Sequence, residues 1–218
     1  MGRVLYIGLK PPEGLVCDHV PLIAIHEVQT ECDSLEGYNV LIFTSQTAVE
    51  LFCQNFGKID IDKIYAVGPS TAAAVASHLH LEPMVPIEFT AEGLVSLLEE
   101  TLDKQNDAIF WPHAAGSRPI LSNYFKENNI PFRECILYET KTNSAKVDLM
   151  LFSEVHFTSP STVTAFFELF GPPPEHLDLI AIGPITAEKL KQLLGEGFKR
   201  VKLQSADLLD DRVGNRID

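Results

Sequence analysis

The sequence is poor in cysteine and contains no C-x-x-C pair. Its four cysteines are far apart in the chain: Cys17, Cys32, Cys53 and Cys135. Three of them lie in apolar segments, which indicates buried thiols in a reducing compartment and argues against disulfides. The histidines do not cluster either. His78 and His80 are two residues apart on a predicted helix end and do not share a face, so we predict no metal site.

Long apolar runs and excess positive charge are also missing. No run approaches the roughly 20 residues of a membrane helix, and the opening segment MGRVLYIGLK is too short for the apolar part of an export signal. We therefore expect a cytoplasmic protein with no membrane partner. The formal net charge is −13 and no basic stripe is visible, which argues against nucleic acid as a partner.

What the sequence does contain is an internal repeat. LIFTSQTAVELFCQNFG (41–57) aligns without a gap on VHFTSPSTVTAFFELFG (155–171). IYAVGPSTAAAV (64–75) resembles LIAIGPITAEKL (179–190), and FTAEGLVSLL (89–98) faces QSADLLDDRV (204–213). Each copy alternates short Val/Ile/Phe-rich runs with helical patterns, which predicts β-α units and a parallel sheet.

A further repeated pair shows how the copies are arranged in the chain. VPLIAIHEVQT (20–30) resembles IPFRECILYET (130–140), so one copy is continuous and the other is split between the two ends. We predict an α/β protein of two similar domains, each a parallel sheet flanked by helices, joined by a two-segment linker with a cleft between them. The predicted domains are 37–140 and 1–32 with 145–218, and the predicted linkers are the polar stretches 33–36 and 141–144.

Four turns in this arrangement carry the candidate chemistry. In each FTS segment, serine follows a strand and precedes a helix, where it is a favoured N-cap. The two GP segments place proline in the first helical turn, with Thr71 and Thr186 close behind. Well-capped helices alone would explain one such turn. Four of them at the carboxyl edges of parallel sheets predict a site for several anionic groups, bound by backbone N–H groups and hydroxyls.

The FTS-helix segments, the GPxTA segments, the LYET segment and the split domain order together resemble the uroporphyrinogen-III synthase family. The resemblance covers nearly the whole chain and implies a cofactor-free lyase of heme biosynthesis. Such an enzyme closes hydroxymethylbilane, a chain of four pyrroles with eight carboxylates, to uroporphyrinogen III with inversion of ring D and loss of water. With two linkers and no large apolar face evident in the sequence, we expect a monomer, with the deaminase that supplies the bilane as a transient partner.

The resemblance assigns roles to individual residues. The family's tyrosine falls on Tyr138, whose phenol would donate a hydrogen bond to the departing hydroxyl group; a half-buried aromatic packing at a strand end is the alternative. Arg118 matches a basic position of the family. The alternative is an ordinary surface arginine at the start of a helix, with no role in binding. The candidate substrate-binding residues are Thr44, Ser45, Gly68, Ser70, Thr71, Arg118, Ser159, Pro160, Ser161, Gly183 and Thr186.

Other function classes fit the sequence less well. No G-x-G-x-x-G follows a strand, which argues against a dinucleotide-binding enzyme. A periplasmic-type binding protein would need an export signal. Thr47 stands near a position where many family members have a basic or amide side chain, and the C-terminal segment is shorter and more acidic than usual for the family. A non-catalytic or degenerate binder of tetrapyrroles or other polycarboxylates therefore stays open as the alternative.

Overall fold

The computed structural model of the protein describes residues 2–12, 14–30, 32, 34–56 and 59–204, and the side chains of 196–198 are not described. Gly57 and residues 205–213, which contribute to the predicted repeat, lie outside the described residues.

Strands and helices alternate along most of the described chain. The strands are β1 Arg3–Tyr6, β2 Asp18–His19, β3 Ile23–Glu27, β4 Val40–Phe43, β5 Lys63–Ala66, β6 Ile109–Ala114, β7 Phe132–Thr142, β8 Phe152–Phe157, β9 Asp178–Ala181 and β10 Val201–Leu203. The α-helices are α1 Gln46–Asn55, α2 Pro69–Leu79, α3 Ala91–Thr101, α4 Ile120–Glu127, α5 Pro160–Phe170 and α6 Pro184–Leu194, with short 3-10 helices at Leu149–Leu151 and Gly195–Arg200.

The chain forms two compact units. Unit 1 consists of Met1–Ile25 and Thr140–Asp218, and unit 2 of His26–Glu139. Both divisions fall inside strands, β3 and β7. The domain bounds and the linkers 33–36 and 141–144 that the sequence suggests stay a prediction.

Unit 2 contains a sheet with the strand order β3-β7-β6-β4-β5. The pairs β7/β6, β6/β4 and β4/β5 are parallel. Every residue of β4 is buried, as expected for a strand with helices on both faces of its sheet. Apolar side chains of β4, β5 and β6 pack with those of α3 and α4 on one face, where Trp111 and Phe125 are among the largest buried side chains.

Unit 1 contains a parallel sheet with the order β10-β9-β8-β1-β2. Its core groups Leu5 and Ile7 with Phe157 and Phe166, whose rings meet edge to face at 5.3 Å. By their places in the sheet, β8, β9 and β1 correspond to β4, β5 and β6 of unit 2. The predicted α/β fold class, parallel sheets flanked by helices, is confirmed. Among the described helices, none has the length and apolar character needed to cross a membrane.

Candidate functional site

The predicted site residues of unit 2 follow neighbouring parallel strands. Thr44 and Ser45 come directly after β4, and Gly68 follows β5 by two residues. Arg118 lies in the loop after β6, and that loop is joined to β7 by a 2.8 Å hydrogen bond from the Ala115 N–H to the Tyr138 carbonyl. Because these strands are parallel, their carboxyl ends share one edge of the sheet, as the sequence predicts.

Ser45 and Tyr138 meet directly at this edge. Ser45 is the N-cap of α1, and its Oγ accepts a 3.0 Å hydrogen bond from the Ala48 N–H. The same Oγ lies 2.9 Å from the phenol oxygen of Tyr138. The fold thus joins the two residues that the sequence singles out, although they are 93 positions apart.

The phenol of Tyr138 is held in its protonated form. The side chain is only 6% exposed. Burial raises the pKa of Tyr138 above the ordinary value of a phenol, and the hydrogen bonds with Ser45 and Thr47 offset part of that rise. At neutral pH this group is therefore a hydrogen-bond donor or acid, and not a base.

The N-terminus of α2 lies beside that of α1. Gly68 is the N-cap, so no side chain caps this helix, and Pro69 occupies the first turn. The first-turn N–H groups of Ser70 and Thr71 have no partner within the helix by its geometry. The Gln46 amide donates a 3.1 Å hydrogen bond to the Ser70 carbonyl and so ties the two helix starts together. Thr71 is only 3% exposed, backbone included, whereas Ser70 is exposed, so Ser70 is the residue of this turn that a ligand reaches most easily.

Arg118 already has an anionic partner in the structure. Its guanidinium group makes two hydrogen bonds, of 2.6 and 3.0 Å, to the carboxylate of Glu92 in the first turn of α3. This contact lowers the pKa of Glu92. Both side chains are exposed, so a carboxylate ligand could use Arg118 only by competing with Glu92.

In unit 1, the start of α5 has more capping hydrogen bonds than the start of α1 in unit 2. Ser159 Oγ accepts from the Thr162 N–H, and the Thr162 hydroxyl accepts from the N–H groups of Thr158 and Ser159. Thr162 therefore occupies backbone donors that the sequence alone suggests are free for a ligand. Pro160 and Ser161 follow in the first turn of α5.

The second turn of unit 1 resembles its counterpart in unit 2. Gly183 is the N-cap of α6 and provides no side-chain cap, and Thr186 is buried at 3% exposure. The free donors at this turn are again backbone groups.

Sequence reasoning missed three contributors: Gln46, Glu92 and Thr162. Gln46 and Glu92 act across separate elements, and no local pattern pairs them with Ser70 or Arg118. Thr162 could have been found, because Ser159 and Thr162 have the spacing of a capping box. Within the described residues, no group of three or more His, Cys, Asp or Glu side chains is placed to hold a metal ion.

These features define a class: α/β proteins built from two similar parallel-sheet units, with uncapped helix starts and a buried tyrosine at a carboxyl edge. A family model described as uroporphyrinogen-III synthase HemD matches residues 12–201. The chain belongs to the uroporphyrinogen-III synthase family, a family of lyases of heme biosynthesis.

Individual relatives agree with this assignment. A putative uroporphyrinogen-III synthase from Methanothermobacter thermautotrophicus is 31% identical over 198 residues, which cover 79% of this chain and 78% of the relative. The crystal structure of uroporphyrinogen-III synthetase from Helicobacter pylori matches with a TM-score of 0.64 at 20% identity, over 99% of this chain and 100% of that one. A mutant uroporphyrinogen III synthase from Thermus thermophilus matches at 0.61 and 15% identity, over 98% and 96% of the two chains. At these identities the two structures show the fold alone.

Proposed function

We propose that the protein is a uroporphyrinogen-III synthase, which converts hydroxymethylbilane into uroporphyrinogen III with inversion of ring D and release of water, and without a cofactor. Family membership supports the substrate and the reaction. The observation that carries the proposal is the hydrogen-bonded pair of Ser45 and Tyr138 at the carboxyl edge of unit 2.

In the proposed reaction the hydroxyl group of ring A leaves as water. Its C–O bond breaks as the oxygen gains a proton, and the bond electrons leave with the oxygen, so the ring becomes an azafulvene cation. The substituted carbon of ring D attacks the cationic methylene carbon to give a spiro intermediate. The older bond from that carbon to the bridge then breaks and leaves the bridge carbon, on ring C, as an azafulvene cation. This carbon bonds to the other carbon of ring D next to its nitrogen, the unsubstituted one, which then loses its proton.

Tyr138 would assist the first of these steps. Its phenol is neutral at physiological pH, since an ordinary phenol has a pKa of about 10 and burial raises the pKa of Tyr138 further. A neutral phenol can donate a hydrogen bond to the departing oxygen. Ser45 Oγ already accepts from the Ala48 N–H. Its own proton can point at the phenol oxygen, which leaves the phenol proton free for the substrate.

The carboxylates of the bilane would bind at the helix starts. The N-terminus of α2 combines uncapped N–H groups with the positive end of the helix dipole, and α1 begins beside it. Backbone donors of this kind reconcile a polyanionic substrate with a protein whose net charge is −13. The enzyme's main task is to hold the chain so that spiro attack is faster than direct closure.

An isomer assay tests the proposal. The purified protein is mixed with hydroxymethylbilane made in situ by its deaminase, and the oxidised porphyrins are separated by chromatography. Predominance of isomer III is expected. If isomer I alone forms at the spontaneous rate, the synthase proposal is wrong, and a non-catalytic binder of polycarboxylates takes its place.

We further propose a monomer that works in the cytoplasm and meets the deaminase only transiently. Size-exclusion chromatography with light scattering is expected to give a peak with the mass of one 24.2 kDa chain, both for the protein alone and in a mixture with the deaminase.

A further inference from the structure

Unit 2 brings two of the four cysteines of the chain together. After β3, the Val28 N–H donates a 2.9 Å hydrogen bond to the Leu137 carbonyl of β7. Further along the chain, the Cys32 thiol donates a hydrogen bond to the Glu134 carbonyl over 3.8 Å. The chain after β3 therefore runs antiparallel to β7. It brings Cys32 to the residue that precedes Cys135, although Cys32 and Glu134 are 102 positions apart.

The side chain of Thr30 contacts both cysteines. Its Oγ1 accepts a 3.1 Å hydrogen bond from the Cys32 N–H and lies 3.4 Å from the Cys135 sulfur. Burial, together with the neighbouring Cys32 thiol, raises the pKa of Cys135 to about 12. Both residues are free thiols in the structure. Shared contacts and mutual interaction thus make Cys32 and Cys135 a pair of neighbouring thiols.

The backbone around the pair can accept a disulfide bond. A disulfide needs Cα atoms within about 7 Å of each other, and facing residues of adjacent antiparallel strands lie about 4.5–5.5 Å apart. Cys135 is held within β7, whereas β3 ends at Glu27, so Cys32 lies beyond the strand. The Cys32 N–H is bonded to the Thr30 side chain and not to the backbone of β7. A small displacement of Cys32 therefore brings the two sulfurs together without breaking the sheet.

Cys32 is the member of the pair that a small reagent reaches first. It is partly exposed and lines a pocket of about 430 Å³, together with Thr30, Glu134 and Ile136. Cys135 is fully buried and does not line this pocket. Oxidation of the pair by a dissolved reagent therefore starts at Cys32 and reaches Cys135 through it.

The other two cysteines lie on different elements of the fold. Cys17 precedes β2 in unit 1, and Cys53 lies in α1. Both are partly buried, and burial raises the pKa of each thiol. Because the thiolate is the reacting form of a cysteine, these two serve as slow internal references for the pair.

We propose that Cys32 and Cys135 form a reversible redox pair, which a low-molecular-weight disulfide such as oxidised glutathione converts to an internal disulfide bond. The Cys32 thiolate attacks one sulfur of the reagent, forms a mixed disulfide and expels one glutathione thiolate. The Cys135 thiolate then attacks the Cys32 sulfur, forms the internal bond and expels the second glutathione thiolate. The protein loses two electrons and two protons, and the reagent gains them as two molecules of reduced glutathione. The inference does not depend on the proposed synthase activity.

The two steps of this oxidation have unequal rates. Burial keeps Cys135 almost entirely in its thiol form at neutral pH, so the second step is the slow one. The contact with Thr30 favours the Cys135 thiolate, and the opposing effect of the Cys32 thiol ends once Cys32 is part of the mixed disulfide. The dithiol is therefore the resting form in a reducing compartment, and the mixed disulfide precedes the internal bond.

Peptide mapping of the intact protein tests the pair. The protein is incubated with mixtures of reduced and oxidised glutathione, free thiols are blocked with iodoacetamide, and the digest is analysed by mass spectrometry without reduction. We expect glutathione on Cys32 first and then a peptide that joins Cys32 to Cys135, while Cys17 and Cys53 are recovered as blocked thiols. Dithiothreitol should restore both thiols of the pair. The absence of the joined peptide at every glutathione ratio, or joining of Cys17 or Cys53 equally often, would overturn the proposal.

Thermal unfolding of the oxidised protein tests whether the native geometry accepts the bond. The bond closes a loop of about 100 residues, and a constraint of that length on the unfolded chain stabilises the folded state. The midpoint of thermal unfolding should therefore rise by about 10 °C. A lower midpoint would show that the bond distorts the fold, which contradicts the proposed geometry.

Variants separate the roles of the two thiols. In Cys135→Ser the reaction should stop at the mixed disulfide on Cys32. In Cys32→Ser the buried Cys135 should stay a thiol, and rapid attachment of glutathione to Cys135 would contradict entry through Cys32. Cys17→Ser replaces another partly exposed thiol and is the matched control, so it should form the internal bond as fast as the unsubstituted protein. Because Cys32 is partly exposed, its substitution stays informative if Cys135→Ser fails to fold.

Discussion

Replacing Tyr138 with phenylalanine separates its proposed chemical role from its packing. The substitution removes one oxygen and leaves the buried ring in place. It breaks the 2.9 Å hydrogen bond with Ser45, which contributes about 1 kcal/mol to the free energy of unfolding. Ser45 keeps its capping bond from the Ala48 N–H, so α1 should still begin at Gln46.

The expected effect on turnover is larger than the effect on stability. If the phenol donates to the departing hydroxyl, its loss should lower kcat by on the order of 100-fold, equivalent to about 2.7 kcal/mol in the activation free energy. Substrate binding should change little, because the proposed carboxylate contacts lie at the helix starts. The assay is the rate of isomer III formation, with urea unfolding of the same preparations.

Tyr65→Phe is the matched control. Tyr65 is buried in the same unit, and its phenol lies 2.9 Å from the Thr101 hydroxyl. Its loss should cost a similar 1 kcal/mol of stability without slowing turnover. If Tyr138→Phe and Tyr65→Phe form isomer III equally fast, the phenol of Tyr138 has no chemical role and serves in packing.

Three further predictions concern the same unit. Ser45→Ala removes both an N-cap and the partner of Tyr138, and should lower the free energy of unfolding by about 1–2 kcal/mol in urea titrations. Thr90→Ala removes only the N-cap of α3 and should lower the free energy of unfolding by less. If the two variants lose the same free energy of unfolding, the hydrogen bond between Ser45 and Tyr138 does not contribute to stability. Glu92→Gln should weaken the hold on Arg118 and lower KM for the bilane, whereas Arg118→Ala should raise KM; unchanged KM in both would remove Arg118 from the site. Because burial lowers the pKa of His113, its contribution to stability is present above about pH 6.5 and is lost as the pH falls toward the folded-state value. Urea unfolding at pH 7.5 and 5.5 should therefore show a smaller loss in His113→Gln than in the unsubstituted protein, and equal losses would show that His113 does not resist protonation.

The sequence by itself determined the repeated α/β architecture and part of the site. Strand and helix patterns are local, and their repetition predicts that two stretches of the chain form the same arrangement of strands and helices. The capping role of Ser45 is equally local, because an N-cap bonds to its own helix. Tyr138 was found through the family resemblance and through its place in the repeat, where Val28 is its counterpart.

Tertiary structure decided which side chains meet. The pairing of Arg118 with Glu92, the contact of Ser45 with Tyr138 and the stacking of Trp111 on His113 depend on strand register and helix position, which no local pattern encodes. The same holds for burial: the sequence places Thr71 and Thr186 in first helical turns, but only packing shows that their side chains are hidden. Contacts between distant elements follow from how whole elements pack, and that is why the neighbouring thiols of Cys32 and Cys135 became visible only in the folded chain.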